Sequence, residues 1–471
     1  MRTAELLDSL KQQEPISLSQ ILDAKEQRVC RQQEMMSRET GNSPKTLISF
    51  TLNIAGAIKS FPLFTQAFVE GSRQILRELS YAGVEILEKR EFCGKTGDEC
   101  YLLVRESPKK IKELMVAIEE GSELGRLFDI DVMSPDIPKI SRSDLGLPPR
   151  KCLVCGQKAA VCARSRAHSI EEIWARTVEI ICEFLNQRLA DRIARDACRS
   201  LLYEVNVTPK PGLVDRNNNG SHRDMDIFTF ADSACALYPY FKSCALQGLA
   251  GKENPQELFC SLRPLGREAE EQMKQATGGV NTHKGAIFSM GIFCAAAGRM
   301  ADKNASEKEF SSLCAQMCRH LMDDFKDIEK KETLSYGEKL YKEYGITGIR
   351  GEAAQGFPSV FEIGVPKLKE EISQGKSMND AGVSVLIALI SKVQDTNIIT
   401  RSDRETLFWA QKEAQQVLKN GVKEEEVQSL DKLFIEKNIS PGGCADLLAL
   451  CFFVYFCHQE KEGTSFSLGD N

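Results

Sequence analysis

The spacing of hydrophobic residues divides this chain into a mixed first part and a helical second part. Three stretches of the first part have helical spacing, and four runs rich in β-branched or aromatic residues have the character of strands. The predicted helices are 3–38 (interrupted at Pro15), 65–79 and 109–120, and the predicted strands are 46–54, 84–89, 99–104 and 125–132. This order predicts a mixed α/β domain built around a small sheet.

From Ile170 onward, helical spacing continues nearly to the end of the chain, so we expect a larger all-α second domain. One of its predicted helices, 228–249, is rich in Ala, Cys and Phe and is expected to be buried. A chain of 471 residues exceeds one typical domain. We therefore expect a multidomain protein, and we place the boundary so that the domains are 1–183 and 184–471.

The composition narrows the class of protein. A hydrophobic content of 42% and a charged content of 27% are typical of a soluble globular protein. The net charge of -6 gives no general case for nucleic-acid binding, and no apolar run is long enough to cross a membrane. The charged start is unlike a signal peptide, and the 17 cysteines are scattered as buried thiols would be in a reducing compartment. We expect a cytoplasmic protein with no nucleic-acid or membrane partner.

A polar, turn-rich stretch of the second part is 206–226, NVTPKPGLVDRNNNGSHRDMD, which follows a predicted helix ended by two prolines and a glycine. Its cations can meet phosphate, and its carboxylates can hold a hard cation such as Mg2+. The cations are Lys210, Arg216 and Arg223, and the carboxylates are Asp215, Asp224 and Asp226. A surface loop is the alternative, but charges of both signs beside tight-turn residues favour an active-site loop.

Residues 125–132, GRLFDIDV, alternate polar and apolar side chains at the period of a strand. Asp129 and Asp131 therefore point to one face, where they repel each other unless a cation lies between them. Nucleotidyl-transfer sites hold Mg2+ against a triphosphate in this way. The alternative is an edge strand with a solvated acidic face. Gly125 and Arg126 just before the strand add a flexible turn and a cation for phosphate.

The basic stretch 150–169 contains Cys152, Cys155, Cys162 and His168, which are chemically sufficient for a tetrahedral zinc site. The C-x2-C spacing is common in zinc sites, but the C-x5-H spacing that follows it fits loosely and leads into a predicted helix. The sequence therefore favours reduced thiols near a basic loop over a structural zinc ion.

Two glycine-rich segments of the second part have the character of ligand-binding loops. Residues 278–289, GGVNTHKGAIFS, open a helix whose free amides attract anions, with Lys284 and His283 beside them; the alternative is a turn capped by Asn281. Residues 345–358 contain Arg350 and are either a hinge or a mobile loop over a nucleotide. Two further carboxylates can reach a site. Asp395 lies in a polar break after a predicted helix, and Asp446, in the first turn of the predicted helix after Ser440, either suits the helix dipole or faces the site.

The first part resembles the apo-citrate-lyase phosphoribosyl-dephospho-CoA transferase family through four motifs in one order. They are SFTLNIAGAIK, KTGDE, ELGRLFDIDV and SRSDLGLPPRKCLVCGQKAAVCARSRAHS. The resemblance implies transfer of a phosphoribosyl-dephospho-CoA group to a serine of the citrate lyase acyl-carrier subunit, with release of pyrophosphate. It places Asp129 and Asp131 at a metal, and Lys59 and Arg126 at the triphosphate.

The second part is similar to the triphosphoribosyl-dephospho-CoA synthase family of citrate lyase maturation. The motifs are VNVTPKPGLVDRNNNGSHRDMD, GGVNTHKGAIFSMG, TGIRGEAAQGFPSV, VQDTNII and NISPGGCADLLA. The resemblance implies an all-α enzyme that joins 3'-dephospho-CoA to the ribose of ATP and releases adenine. Relatives of this family serve malonate decarboxylase, an alternative that the motifs of the first part disfavour.

The expected chemistry is displacement at an anomeric carbon, which a carboxylate stabilises while other groups move protons. We expect Asp215 and Asp224 as catalytic carboxylates, His222 or His283 in proton transfer, and Asp226 at Mg2+. Lys210, Arg216, Arg223, Lys284 and Arg350 are the expected substrate contacts. Two other functions stay open: hydrolysis of a nucleotide-ribose bond by the second part, and a non-enzymatic assembly chaperone for the lyase.

Overall fold

The computed structural model describes residues 3–38, 44–251, 254–301, 303, 305–326, 328, 334 and 336–463. The chain divides into two compact units, Met1–Asn186 and Gln187–Asn471. A search of the described helices for a segment long and apolar enough to cross a membrane found none.

The first unit is a mixed α/β structure. Its strands are β1 (Thr46–Leu52), β2 (Glu85–Phe92), β3 (Glu99–Arg105) and β4 (Phe128–Met133). Its helices are α1 (Thr3–Lys11), α2 (Leu18–Ser37), α3 (Pro62–Tyr81), α4 (Pro108–Glu120) and α5 (Ala159–Ser165), and α6 (Ile170–Asn206) begins in it. The predicted small sheet is confirmed, and with it the mixed fold class of this part.

The four strands form one antiparallel sheet in the order β2-β3-β1-β4. One face carries the larger core, where Phe50 and Phe128 pack against α3. The helix approaches this face closely because Gly71 has no side chain; a Cβ there would lie 2.4 Å from the Phe50 ring. On the other face, Met35 of α2 packs on a smaller apolar cluster. The same face also contains the acidic residues Asp129 and Asp131 of β4, which is an edge strand. We call this part of the sheet the polar face.

The second unit is all-α, as predicted. After the remainder of α6, its helices are α7 (Ile227–Ala236), α8 (Tyr238–Leu249), α9 (Pro255–Ala276), α10 (Lys284–Arg299), α11 (Glu307–Cys318), α12 (Tyr336–Tyr344), α13 (Gly348–Ala354), α14 (Val365–Ser373), α15 (Met378–Ile390), α16 (Thr396–Arg401), α17 (Arg404–Lys419), α18 (Glu424–Glu436) and α19 (Gly442–Gly463). Short 3-10 helices and one π-helical turn, Ser359–Gly364, join some of these helices.

The expectation of a single buried helix over 228–249 was wrong. The structure has α7 and α8, separated at Leu237, with Pro239 in the first turn of α8. Proline has no amide proton for an intrahelical bond, and its fixed backbone suits the start of a helix. Phe228 is 76% exposed, so the first of the two helices presents an apolar side chain to solvent.

The core of the second unit is formed by α10, α15 and α19, whose residues are apolar on almost every side, as in helices that are surrounded by others. Two glycines bring α8 and α10 together. A Cβ at Gly248 would lie 2.0 Å from the Ala295 carbonyl oxygen, and one at Gly298 would lie 2.3 Å from the Ala245 carbonyl oxygen. This tight packing holds the C-terminal part of α10 against α8.

Candidate active sites

In the first unit, the strand register gathers polar side chains on one sheet face. Asp131 stands opposite Ser49, and Asp129 stands opposite Thr51, which in turn stands opposite Glu99 of β3. Directly opposed residues of antiparallel strands point to the same side of a sheet. Three carboxylates therefore share this face. Asp129 and Asp131 were predicted from the sequence, but Glu99 was missed, because β3 is apolar on both faces beyond Glu99 and only the strand register places this carboxylate beside the other two.

Glu99 is 3% exposed and is surrounded by donors. Arg28 donates from Nε and Nη2 at 3.1 and 3.0 Å, Arg31 donates at 2.8 Å, and the Tyr101 hydroxyl also donates to Glu99. A buried carboxylate requires such pairing because leaving water is costly for an ion. Burial, and then the hydrogen bond to Glu99, raise the pKa of the Tyr101 phenol. Glu99 therefore holds two arginines at the polar face.

The two carboxylates of β4 differ in their surroundings. Asp129 is exposed, with neither a hydrogen bond nor an ion pair to the described part of the chain, whereas Asp131 accepts from the Lys139 ammonium at 2.6 Å. Both offer only oxygen, the ligand that Mg2+ prefers. The donor set thus fits a magnesium ion.

The predicted cations of this unit have separate positions. The Lys59 ammonium donates to the Ile54 carbonyl oxygen, and burial, Arg28 and Lys25 lower its pKa, so Lys59 belongs to the cationic group around Glu99. Arg126 instead donates to Glu123 at 2.8 Å and to the Cys152 carbonyl oxygen at 2.9 Å. The side chains of Cys152, Cys155, Cys162 and His168 lie together.

In the second unit, several charged side chains of 206–226 have structural partners. The Asp215 carboxylate accepts the amides of Lys210, Asn217 and Asn218 at 2.7 to 3.0 Å. Asp226 caps α7 by accepting from Thr229 at 2.9 Å. Arg216 donates to Thr208 at 3.1 Å and to Asn379 at 2.9 Å, while Arg223 and Asp224 are exposed.

His222 is held between two neighbours. Its Nε2 lies 2.8 Å from the Ser440 hydroxyl, and its Nδ1 lies 3.1 Å from the Arg401 guanidinium. Burial and the charge of Arg401 lower the pKa of this imidazole. Because an Arg always donates, Nδ1 is the acceptor and the ring is neutral.

Lys210 and His283 occupy the interior of the second unit. Lys210 is 1% exposed and its ammonium is paired with the Glu204 carboxylate of α6, also buried. The Nδ1 atom of His283 lies 2.7 Å from the Ser233 hydroxyl, and its buried Nε2 has no partner within the described residues. Burial, and then the charge of Lys210, lower the pKa of His283 to about 3, so it is neutral near pH 7.

A cavity of about 440 Å³ opens beside the first turns of α10 and α19. Its walls include the cations Lys284 and Lys392 and the carboxylates Asp395 and Asp446. Burial, and then the charges of Glu204 and Asp395, raise the pKa of the Asp446 carboxyl well above its usual range. Asp446 is therefore biased towards the protonated form.

Asp395 lies at the same cavity but has a clear structural role. Its carboxylate accepts the Asn397 amide and the Cys444 amide, each at 2.8 Å, and so joins the starts of α16 and α19. Burial raises its pKa. Gly443 permits this approach, because a Cβ there would lie 3.1 Å from the carboxylate.

A second cavity of about 580 Å³ is lined by Arg263, Arg267 and Arg350 together with aromatic side chains. Glu270 also lines it and pairs with Lys284 of the first cavity at 3.1 Å. The two cavities are therefore joined by one ion pair. Three guanidinium groups beside aromatic rings form a suitable surface for a phosphorylated nucleotide.

Two carboxylates of the helices have no evident role in the sequence. Glu204 lies near the end of the predicted helix before 206–226, and Asp446 was open to explanation by the helix dipole. In the structure Glu204 is buried and Asp446 is half-buried, and the burial of a charge depends on how distant segments pack. The signal that was available is the acidic residue within an otherwise apolar run, as at Asp446 in GGCADLLALC.

Comparison with known protein families covers both units. Residues 16–184 match the model of the apo-citrate lyase phosphoribosyl-dephospho-CoA transferases, and residues 190–465 match that of the ATP:dephospho-CoA triphosphoribosyl transferases. Protein CitXG of Haemophilus influenzae is 34% identical over 93% of this chain and 96% of its own length. Protein CitXG of Leuconostoc mesenteroides subsp. cremoris is 33% identical over 95% of this chain and 98% of its own length.

A relative of the second unit is the 2-(5''-triphosphoribosyl)-3'-dephosphocoenzyme-A synthase of Haemophilus ducreyi, 37% identical over 64% of this chain and 98% of its own length. The two family models follow each other along the chain as its two compact units do. The chain therefore belongs to the family of fused transferases that join an apo-citrate lyase phosphoribosyl-dephospho-CoA transferase to an ATP:dephospho-CoA triphosphoribosyl transferase and serve maturation of the citrate lyase prosthetic group.

Proposed function

We propose that the helical unit joins the 2'-hydroxyl of dephospho-CoA to C1 of the ATP ribose. The carbon–nitrogen bond to adenine breaks as the new carbon–oxygen bond forms, the hydroxyl loses its proton, and adenine takes one up. The α/β unit then transfers the product to a serine of the lyase acyl-carrier subunit. A serine oxygen–phosphorus bond forms, the bond between the α- and β-phosphates breaks, and pyrophosphate leaves.

In the helical unit, Asp446 is the group that donates a proton to adenine. Its position in the cavity wall and its raised pKa support this role, because a general acid must be protonated near the working pH. Lys284 and Lys392 in the same wall offer charge to the triphosphate. The charge of Glu204, which pairs with the buried Lys210, contributes to the raised pKa of this carboxyl.

The arginine-lined cavity takes the diphosphate of dephospho-CoA. Arg263, Arg267 and Arg350 match phosphate in charge and in hydrogen-bonding geometry. The Lys284–Glu270 pair at 3.1 Å connects this cavity with the one that contains Asp446. Two substrates can therefore be held side by side, which a displacement between two ribose groups requires.

In the α/β unit, Asp129 and Asp131 hold a magnesium ion whose charge offsets that of the triphosphate. The cations around Glu99, which include Arg28 and Lys59, take the leaving pyrophosphate. Asp129 is exposed, so this part of the face is accessible to the serine of a protein substrate. We place the reaction in the cytoplasm, where reduced thiols persist.

The observation that carries this proposal is the pair of ordered family matches, each lying on a unit with its own charged site. The test is mass spectrometry of apo-carrier subunit incubated with the chain, ATP, dephospho-CoA and Mg2+. The expected result is a mass gain equal to the phosphoribosyl-dephospho-CoA group, together with free adenine.

Omission of single components separates the two steps. Without carrier, adenine release should continue; without dephospho-CoA it should stop. Adenine release that persists without dephospho-CoA would instead show hydrolysis of the nucleotide-ribose bond. A carrier of unchanged mass, even when preformed triphosphoribosyl-dephospho-CoA is supplied, would refute the role of the α/β unit.

A further inference from the structure

The α/β unit contains a cluster of metal-ligand side chains that the proposed reaction does not use. The sulfur atoms of Cys152, Cys155 and Cys162 and a ring nitrogen of His168 all lie within 4.8 Å of one another. We propose that these four side chains bind a structural Zn2+ ion. Three thiolates and one imidazole form a complete tetrahedral set, which is the usual arrangement of a structural zinc site.

The backbone around the first two cysteines is a tight turn. The Gly156 amide donates to the Cys152 carbonyl oxygen at 3.2 Å, and the Cys152 amide donates to the Gln157 carbonyl oxygen at 2.6 Å. Gly156 has a φ of 73°, a conformation that glycine adopts without strain. This turn is fixed by its own hydrogen bonds, so both sulfur atoms are directed to one side before any ion binds.

The other two ligands come from α5 and the residues after it. The helix ends at Arg166, whose φ of 50° reverses the chain, and the Ala167 amide donates to the Cys162 carbonyl oxygen at 3.1 Å. The reversal returns His168 to the cysteines. Its Nε2 atom is buried, with no hydrogen-bond partner in the described part of the chain. A buried nitrogen without a partner beside three sulfur atoms has the position of a metal ligand.

A disulfide bond does not account for the cluster. The Cys155 and Cys162 sulfur atoms are 3.4 Å apart, well beyond the roughly 2.05 Å of a covalent sulfur–sulfur bond. Sulfur and imidazole ligands select Zn2+ over Mg2+, which prefers oxygen. Three thiolates on a divalent ion leave one negative charge, and the segment that contains them is basic, with Arg164 and Arg166 close in sequence to Cys162 and His168. The loose C-x5-H spacing is accommodated by the chain reversal at Arg166.

Hydrogen bonds connect the proposed zinc site to β4, the strand that contains Asp129 and Asp131. Arg126 donates to the Cys152 carbonyl oxygen at 2.9 Å, and Arg150 donates to the Phe128 carbonyl oxygen at 2.7 Å. Phe128 precedes Asp129 at the start of β4, an edge strand paired on one side with β1. The bound ion therefore holds residues 150–168 in the shape that positions this end of β4, without contacting substrate.

The test is zinc stoichiometry of the full chain, purified without chelator and measured by elemental analysis and native mass spectrometry. We expect about one zinc per chain. Cys155→Ser and Cys162→Ser should lower the zinc content at least tenfold, and so should His168→Ala. Cys30→Ser, at an exposed cysteine of α2, is the matched control and should keep its zinc. His168→Cys, which restores a fourth ligand, should retain zinc as well.

Cobalt substitution of the wild-type chain gives a readout that does not depend on activity. Wild-type chain exchanged with Co2+ should show the strong visible bands of a tetrahedral cobalt–thiolate site, and these should be lost in Cys162→Ser. A wild-type chain that takes up neither zinc nor cobalt, or a Cys155→Ser chain that keeps its full zinc content, would overturn the assignment. A disulfide between Cys155 and Cys162 in chain purified under reducing conditions would overturn it too.

Discussion

Asp446 of α19 lies against Gly285 of α10 so closely that a Cβ at position 285 would be 2.0 Å from the Asp446 Oδ2 atom and 3.1 Å from its Cγ. Glycine therefore fits position 285 because a side chain there would overlap Asp446, and not because of the backbone conformation. The contact places a half-buried carboxyl directly beside the first turn of α10, at the residue that follows Lys284 in the sequence. It also explains how α10 and α19 form two walls of one polar cavity.

Gly285→Ala should displace Asp446 and so reduce adenine release. The added methyl group overlaps a carboxylate that the surrounding packing holds, and overpacking of this kind costs about 1–3 kcal/mol. Adenine release by the full chain and its urea unfolding measure the two effects. Gly337→Ala in α12 is the matched control, because a Cβ there would meet nothing within 4 Å. Full activity in Gly285→Ala would show that the position of Asp446 does not matter to the reaction.

Asp446→Asn should abolish adenine release without loss of stability. An amide has the shape of the carboxyl but cannot donate its proton as an acid, and loss of a general acid costs about 100-fold or more. The pKa of Asp446 is raised by burial, Glu204 and Asp395. Wild-type stability should therefore fall as pH rises from the unfolded value of about 3.9 through the folded pKa.

The asparagine variant should lack this part of the pH dependence. Urea unfolding from pH 4 upward, compared between wild type and Asp446→Asn, measures the difference. If the Asp446→Asn enzyme is active, a group other than Asp446 is the general acid. An inactive variant that is also strongly destabilised would point to a structural role only.

Removal of both charges of the Lys210–Glu204 pair should restore the stability that either single change loses, but it should not restore adenine release. Glu204→Gln or Lys210→Met alone leaves a buried charge unpaired, which costs about 3–5 kcal/mol. The double variant removes both charges and should recover most of that stability. Adenine release should not recover with it, because the charge balance beside Asp446 is still altered. Recovery of both quantities would restrict the pair to a structural role.

The fold could be predicted from the sequence mainly for elements whose own polar and apolar residues repeat with the period of a strand or a helix. The alternation in GRLFDIDV predicts β4, and the structure places Asp129 and Asp131 on its polar face. The break between α7 and α8 was missed because Ala, Cys and Phe continue across it, and Pro239 was read as part of the helix instead of its start.

The sites were harder to predict because charged residues have roles that depend on distant partners. Asp215 and Asp226 stand out in the sequence, yet the Asp215 carboxylate accepts backbone amides of its own loop and the Asp226 carboxylate caps α7. Asp446 and Glu204 are inconspicuous along the chain, and only the packing of α6 and α19 brings their charges close enough to interact. The cluster of Cys152, Cys155, Cys162 and His168 likewise depends on a chain reversal that spacing alone does not reveal.

His283 should make the stability of the chain sensitive to acid. Its pKa is lowered to about 3 by burial and by Lys210, so the neutral ring stabilises the folded state above the unfolded pKa of about 6.5. That contribution is lost as pH falls from about 6.5 to about 3. His283→Gln should flatten this part of the profile in urea unfolding. Parallel profiles for wild type and variant would show that the imidazole does not carry the effect.

Asp129→Asn and Asp131→Asn should block transfer to the carrier while adenine release continues. Both carboxylates lie on one face of β4, and removal of either leaves an incomplete oxygen set for Mg2+. Asp136→Asn, at an exposed residue just beyond the strand, makes the same change in charge and is the control. Carrier mass after incubation with preformed triphosphoribosyl-dephospho-CoA measures transfer, and chromatography of free adenine measures the first step.

The two variants should also differ from each other. Asp129 has no partner among the described residues, whereas Asp131 accepts from Lys139 at 2.6 Å. Asp131→Asn releases that ammonium, so part of its effect should disappear in a Lys139→Met background, while the effect of Asp129→Asn should not change. Extra Mg2+ should restore neither variant fully, because the lost ligand is charged. If both variants load carrier as fast as Asp136→Asn, the acidic face of β4 is not the transfer site.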